Sequence, residues 1–155
     1  MEGIPRRLVW LGAAAYLAVL LALTLSPAPP DDPENRDPLW LNLRPFDTIG
    51  RSLGGQMGPA GVALLFGNVA AFVPLGVLVP LLGRPSWRAV AAAGIGLSAA
   101  IETTELSLSL LAGRPYRHAD VDDVILNGSG ALLGYLGLLL LRGLLPGAER
   151  ETRAG

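Results

Sequence analysis

Four long apolar stretches constrain the fold of this 155-residue chain more than any other feature. Each is long enough, as a helix, to cross a hydrocarbon layer about 30 Å thick, which takes about 20 residues. In lipid, only a helix satisfies its own backbone hydrogen bonds within one segment. The sequence therefore predicts an all-α fold, an integral membrane four-helix bundle forming a single domain over residues 1–155. The predicted spans run from about Leu8 to Leu25, Gly61 to Leu82, Trp87 to Leu111 and Val124 to Leu145.

Composition agrees with a bilayer environment and removes several classes of function. The chain is 51% hydrophobic and 16% charged, and it contains no cysteine and one histidine, His118. Disulfides, thiolate metal sites and cysteine nucleophiles are thereby excluded, as are histidine-cluster metal sites. The net charge is −1 and every basic residue is arginine, without a polybasic run, so nucleic-acid binding is not expected. Any acid–base or metal chemistry must use carboxylates.

The arginines set the predicted orientation, because short cytoplasmic loops are enriched in positive charge. Seven arginines fall on the side of the two termini and five on the other, where most of the acids lie. We expect a multi-pass protein of the cell membrane with both termini cytoplasmic. The first stretch also has features of a signal peptide, since Arg6 and Arg7 precede it. Its length and the prolines Pro27, Pro29 and Pro30 favour a retained helix.

An outer loop over residues 26–60 joins the first two spans. Its proline-rich beginning cannot sustain a helix, because proline lacks the amide donor. The later residues, from Trp40 to Arg51, include apolar and aromatic side chains, and we expect them to fold back onto the bundle. The alternative is a disordered linker.

Polar side chains inside the spans are costly in lipid and usually face other helices, so they indicate where function lies. Glu102 and Glu105 lie one turn apart in the third span, with Glu102 near its middle. Asn68 lies in the second span, ahead of Pro74, which should bend that helix and free a carbonyl group.

The fourth span begins with Asp120, Asp122 and Asp123, and Asn127 follows one turn later. Helix capping by Asp122 or Asp123 is one explanation for these carboxylates. Further along, Gly130 and Gly134 have the spacing of close helix contacts, within the bundle or between subunits.

Together these residues predict one ligand-binding pocket that opens toward the outer leaflet. Carboxylates and amides could bind a divalent cation and through it a phosphate headgroup, while Arg114 or Arg117 could contact the anion directly. In the alternative, the cluster is a purely structural polar core in which Arg117 neutralises an aspartate and Glu102 is protonated. The predicted ligand-binding residues are Asn68, Glu102, Glu105, Arg117, Asp120, Asp122, Asp123 and Asn127.

Several of these residues belong to segments that resemble the VanZ-like family of bacterial membrane proteins. The matching segments cover residues 42–46, 68–76, 98–102 and 117–135, in the family's order and spacing. The resemblance implies a four-helix membrane protein linked to glycopeptide susceptibility, since the family's namesake is associated with low-level teicoplanin resistance. One position departs from the pattern: Glu105 stands where the family often has glutamine, which makes the site more acidic.

Three functions are compatible with this sequence. The first is a non-enzymatic cell-envelope protein that binds an anionic or polyprenyl-linked lipid at the outer leaflet and modulates susceptibility to teicoplanin-type antibiotics. The second is a membrane-embedded hydrolase or transferase of lipid phosphates that uses a carboxylate and a metal ion. The third is a proton-coupled transporter with Glu102 and Glu105 as a relay. Catalytic residues, metal content and oligomeric state are not determined by the sequence.

Overall fold

The computed structural model describes residues 5–26, 41–83, 85–113 and 117–144. Four of its helices are long and apolar enough to cross a membrane, which confirms the predicted all-α membrane fold. A short helix and a pair of two-residue parallel strands accompany them. The elements are, in chain order, α1 (Arg6–Thr24), β1 (Leu41–Asn42), α2 (Asp47–Leu53), α3 (Gly58–Leu82), α4 (Trp87–Ala112), β2 (Ala119–Asp120) and α5 (Val121–Leu144).

Two of the long helices begin three residues before the predicted positions. Helix α3 starts at Gly58, with Pro59 in its first turn, where a missing amide donor costs nothing. Helix α5 starts at Val121, because the carboxylate of Asp120 accepts a hydrogen bond of 2.8 Å from the backbone N–H of Asp122. Capping of α5 thus falls to Asp120 rather than to the two aspartates that follow. Both helices therefore extend at this end beyond the apolar stretch that predicted them.

Helices α3 and α5 form the most extensive contact in the bundle, and glycines make it possible. A Cβ atom at Gly130 would overlap the carbonyl group of Val69, and one at Gly134 would overlap that of Val73. Gly76 meets the backbone of α5 in the same way. These glycines therefore serve packing inside one bundle, which answers the question that their spacing left open.

The loop end of the bundle is where α1 and α4 finish and where α3 and α5 begin. Residues 41–51 fold back onto this end, as predicted. The parallel strands pair Leu41 with Ala119, and Asp122 accepts hydrogen bonds from the backbone N–H groups of Phe46 and Ile49. Other parts of the sequence-based interpretation, namely the proline-rich residues 27–40 and Arg114, lie outside the described residues.

A small apolar core lies within the bundle on the side of α1, α3 and α4. Leu20, Phe72 and Ile101 are buried against one another there. Beside them, the hydroxyl of Tyr16 donates a hydrogen bond of 3.0 Å to the carbonyl of Ala71, which ties α1 to α3. Helix α3 continues through Pro74 to Leu82, and the bend expected at this proline stays a prediction.

Candidate functional site

A cavity of about 80 Å³ lies near the loop end, between α1, α3, α4 and α5. One part of its wall is apolar and comes from Leu20, Leu64, Ala71, Phe72 and Ile101. The rest is polar and carries most of the ionisable groups found inside the bundle. The polar lining residues are Thr24, Asn68, Glu102, Glu105, Arg117, His118, Asp123 and Asn127.

Six of the eight predicted site residues line this cavity, although they come from three separate segments of the chain. The structure therefore brings Glu102 close to Asn68 and Asp123, as the pocket hypothesis requires, and buries it away from the lipid-facing surface. Their role in binding stays a prediction. The six residues are Asn68, Glu102, Glu105, Arg117, Asp123 and Asn127.

The other two predicted residues, Asp120 and Asp122, do not line the cavity. Asp120 is buried and accepts hydrogen bonds from the side chains of Asn42 and Thr48, besides capping α5. Asp122 is fully buried, and its two oxygens accept the backbone N–H groups of the loop at 2.5 and 3.0 Å. Both carboxylates hold the returning loop in place. They therefore contribute to the structure next to the cavity, not to its lining.

Two of the lining carboxylates are held by neighbouring elements. The side-chain amide of Asn68, in α3, donates a hydrogen bond to Asp123, in α5. The backbone N–H of Asp120 donates to Glu102 Oε2 at 2.8 Å. These contacts fix the two carboxylates relative to α3 and β2, so their positions depend on packing between helices distant in sequence.

Arg117 forms one edge of the cavity and joins it to the end of α1. Its Nε and Nη2 groups each donate a 2.9 Å hydrogen bond, to the carbonyls of Ser26 and Leu23. Its Nε also lies 3.8 Å from Glu105 Oε1. The Arg117 side chain is 31% exposed and that of Glu105 only 5%, so the guanidinium marks the outer part of the cavity.

Asn127 carries a buried polar atom that the described residues do not satisfy. Its Nδ2 donates a hydrogen bond of 2.9 Å to Ser98 Oγ in α4. Its Oδ1 accepts no hydrogen bond from any described residue, although the residue is only 5% exposed and lines the cavity. Buried carbonyl oxygens of this kind are normally hydrogen-bonded, so this atom needs a donor or a cation from within the cavity.

His118 and Thr24 were missed as lining residues by reasoning from the sequence. His118 is the only histidine and directly follows Arg117, and the structure buries it in the cavity wall. In the sequence, a single histidine only excluded histidine-cluster metal sites. Its position beside Arg117, within the segment 117–135 that resembles the family, could have indicated that it lines the cavity. Thr24 gave no such signal, because threonine at a helix end commonly bonds its own backbone, as it does here with Leu20.

Acidic side chains outnumber basic ones in the cavity lining. Three carboxylates, from Glu102, Glu105 and Asp123, share the space with the guanidinium of Arg117 and the imidazole of His118. Within the parts of the chain that the structure describes, no group of three or more His, Cys, Asp or Glu residues is arranged to hold a metal ion. The arrangement offers mainly hydrogen-bond acceptors to whatever enters.

Comparison with known proteins identifies the family of this chain. The family model described as VanZ/LLP1 matches residues 13–142, a range that includes every residue lining the cavity. Neither a comparison with curated proteins nor one with solved structures gave a match.

Proposed function

Because the chain belongs to the VanZ/LLP1 family, we propose that it is a cell-envelope protein that modulates susceptibility to teicoplanin-type glycopeptide antibiotics. It would do so by binding the headgroup of an anionic lipid or of a lipid-linked cell-wall intermediate. The observation that carries this proposal is the gathering of six polar residues, five of them within candidate membrane spans, into one cavity near the loop end. Polar groups are costly within a bilayer, and a cavity that collects them indicates a functional site.

The proposal places the loop end at the outer leaflet and both termini in the cytoplasm. Of the described arginines, those at the opposite end are Arg6, Arg7, Arg88 and Arg142. The loop end carries fewer of the described arginines and all four of the described aspartates. This distribution supports cytoplasmic termini, because positive charge near the ends of spans favours the cytoplasmic side. Antibiotic and lipid-linked precursor would then meet on the side where the cavity lies.

Arg117 is the group that we assign to the phosphate of such a lipid. A guanidinium has five N–H donors, and two of those on Arg117 are used by carbonyls at the end of α1. The remaining donors and the partial exposure of the side chain suit an anion at the cavity edge. The lipid chains would lie against the exposed apolar faces of the bundle, and Leu64, a half-buried apolar residue of the cavity wall, would adjoin them.

The test is the teicoplanin susceptibility of a sensitive host that expresses the protein. Glu102→Ala and Asp123→Ala should abolish the protection given by the wild-type chain, because each removes a lining carboxylate. Glu102→Gln keeps the size of the side chain and an acceptor for the N–H of Asp120 but removes the carboxylate, and it should also lose protection.

Matched controls lie on the same two helices. Thr103→Ala and Ser129→Ala alter exposed hydroxyls that bond only their own helix backbone, and should keep wild-type protection. Each variant is quantified in the membrane fraction. Full protection by well-inserted Glu102 and Asp123 variants would rule out the site.

A further inference from the structure

We infer that the inner part of the cavity binds a primary ammonium group, carried by the headgroup of the bound lipid. This inference rests on the proposed function, since it names the chemistry by which the same site recognises its lipid. The phosphate lies at Arg117 and the ammonium deeper, among the acceptors. A headgroup with both charges, a phosphate and a primary amine, is the ligand class that fits.

The hydrogen-bond acceptors that line the cavity favour a ligand that donates hydrogen bonds. Asn127 Oδ1 is a buried acceptor without a hydrogen bond from any described residue, and Asn127 lines the same cavity as Glu102 and Asp123. Asn127 Nδ2 donates to Ser98 Oγ, which orients the amide so that its Oδ1 is the atom left without a partner among the described residues. The missing component is therefore a donor, and a primary ammonium supplies three N–H donors and no acceptor.

The charge balance supports the same conclusion and argues against an anion in the inner part. Three carboxylates line a volume of about 80 Å³, and the one guanidinium is at the edge and partly used by α1. A phosphate placed among these carboxyl groups would bring its oxygens against other acceptor oxygens at short range, with no donor between them. An ammonium in the same place forms charge-assisted hydrogen bonds.

Size and the apolar wall narrow the choice among cations. Since a buried water needs about 10 to 15 Å³ of such cavity volume, a cavity of about 80 Å³ admits on the order of five to eight water-sized groups. An ammonium with its adjoining methylene groups fits, and Phe72 and Ile101 provide apolar contact for the methylenes. A trimethylammonium group is larger and has no N–H to donate. A bare metal ion would lack a set of three carboxylate or histidine ligands among the described residues.

The experiment compares lipids that share acyl chains and a phosphate but differ in the headgroup nitrogen. The purified full-length chain in detergent micelles is titrated with phosphatidylethanolamine, phosphatidylcholine and phosphatidylglycerol, and bound lipid is measured by native mass spectrometry. We expect phosphatidylethanolamine to bind about tenfold more tightly than the other two, the ratio expected for losing a charge-assisted hydrogen bond. Asn127→Ala should remove this preference, whereas the exposed Ser129→Ala on the same helix should keep it. Should Asn127→Ala fail to fold, Asp123→Asn is the second variant. It preserves side-chain shape but removes a lining carboxylate, and it should likewise reduce the preference for phosphatidylethanolamine.

The outcomes separate the inference from the proposed function. Equal binding of all three lipids, or a preference for phosphatidylglycerol that depends on Arg117, would overturn the ammonium site and leave lipid binding intact. No lipid retained above the level of the detergent would overturn the proposed function itself. A competition experiment with free ethanolamine separates a lipid headgroup from a soluble amine. If ethanolamine displaces phosphatidylethanolamine at millimolar concentration, the ammonium site also accepts a soluble amine. If it does not, while the lipid preference holds, the ammonium is recognised only as part of a lipid.

Discussion

The carboxylate of Asp122 should decide whether α2 stays attached to the bundle. It is fully buried, and its oxygens accept the N–H groups of Phe46 and Ile49 at 2.5 and 3.0 Å. The Ile49 group lies in the first turn of α2, where no intrahelical acceptor exists. Hydrogen bonds to charged groups are worth about 1.5 to 3 kcal/mol each. Asp122→Ala should therefore cost about 3 to 6 kcal/mol of local stability, and Asp122→Asn, which keeps one acceptor, about half of that.

Hydrogen exchange of the backbone amides in α2 measures this local stability directly, because exchange requires the segment to open. Since about 1.4 kcal/mol corresponds to a factor of ten, Asp122→Asn should speed exchange about 10- to 100-fold. Asp47→Asn is the matched control, the same substitution within α2 itself. Asp47 is 38% exposed and pairs with Arg51 at 3.4 Å, and such surface pairs contribute about 0.3 to 0.5 kcal/mol. Its effect should be about twofold.

Similar exchange in Asp122→Asn and Asp47→Asn would refute the reasoning, because α2 would then be held by contacts other than this carboxylate. The four long helices should exchange alike in all three proteins, which separates release of the loop from general unfolding. Loss of protection throughout α5 would show that the substitution had broken the helix beginning at Val121 instead.

Two further predictions concern the bundle as a whole. Gly130→Ala forces a Cβ to within 3.0 Å of the carbonyl carbon of Val69, so we expect about 1 to 3 kcal/mol of destabilisation in reversible unfolding from micelles. Gly137→Ala, on the same helix with open space around it, should be neutral or slightly stabilising, and equal effects would contradict the close α3–α5 contact. Because the chain has no cysteine, Gln56→Cys and Gly83→Cys give single labelling sites. A membrane-impermeant maleimide added to intact cells should label the first and not the second, and the reverse pattern would invert the proposed orientation.

For the candidate site, the sequence predicted how deep the polar residues lie along their helices, but not which groups their side chains contact. Glu102, Asn68 and Asp123 fall at similar depths by counting residues at about 1.5 Å per residue, and they do line one cavity. Counting cannot tell which way a carboxylate turns once a loop packs against it. Asp120 and Asp122, which the sequence also predicts as ligand-binding residues, do not line the cavity and accept hydrogen bonds from residues more than 70 positions earlier in the chain. Their role in binding stays a prediction.

The sequence by itself determined that this chain crosses a membrane four times as helices, because length and apolarity leave a segment in lipid no other way to satisfy its backbone. It also marked the intramembrane residues that need an explanation, because any polar group in a span is costly. Only the tertiary structure decided what those groups do. Whether a carboxylate caps a helix, anchors a loop or faces a cavity depends on donors brought by other segments, such as the N–H groups of Phe46 and Ile49 for Asp122. Likewise, the unsatisfied oxygen of Asn127 becomes visible only when every described neighbour is in place.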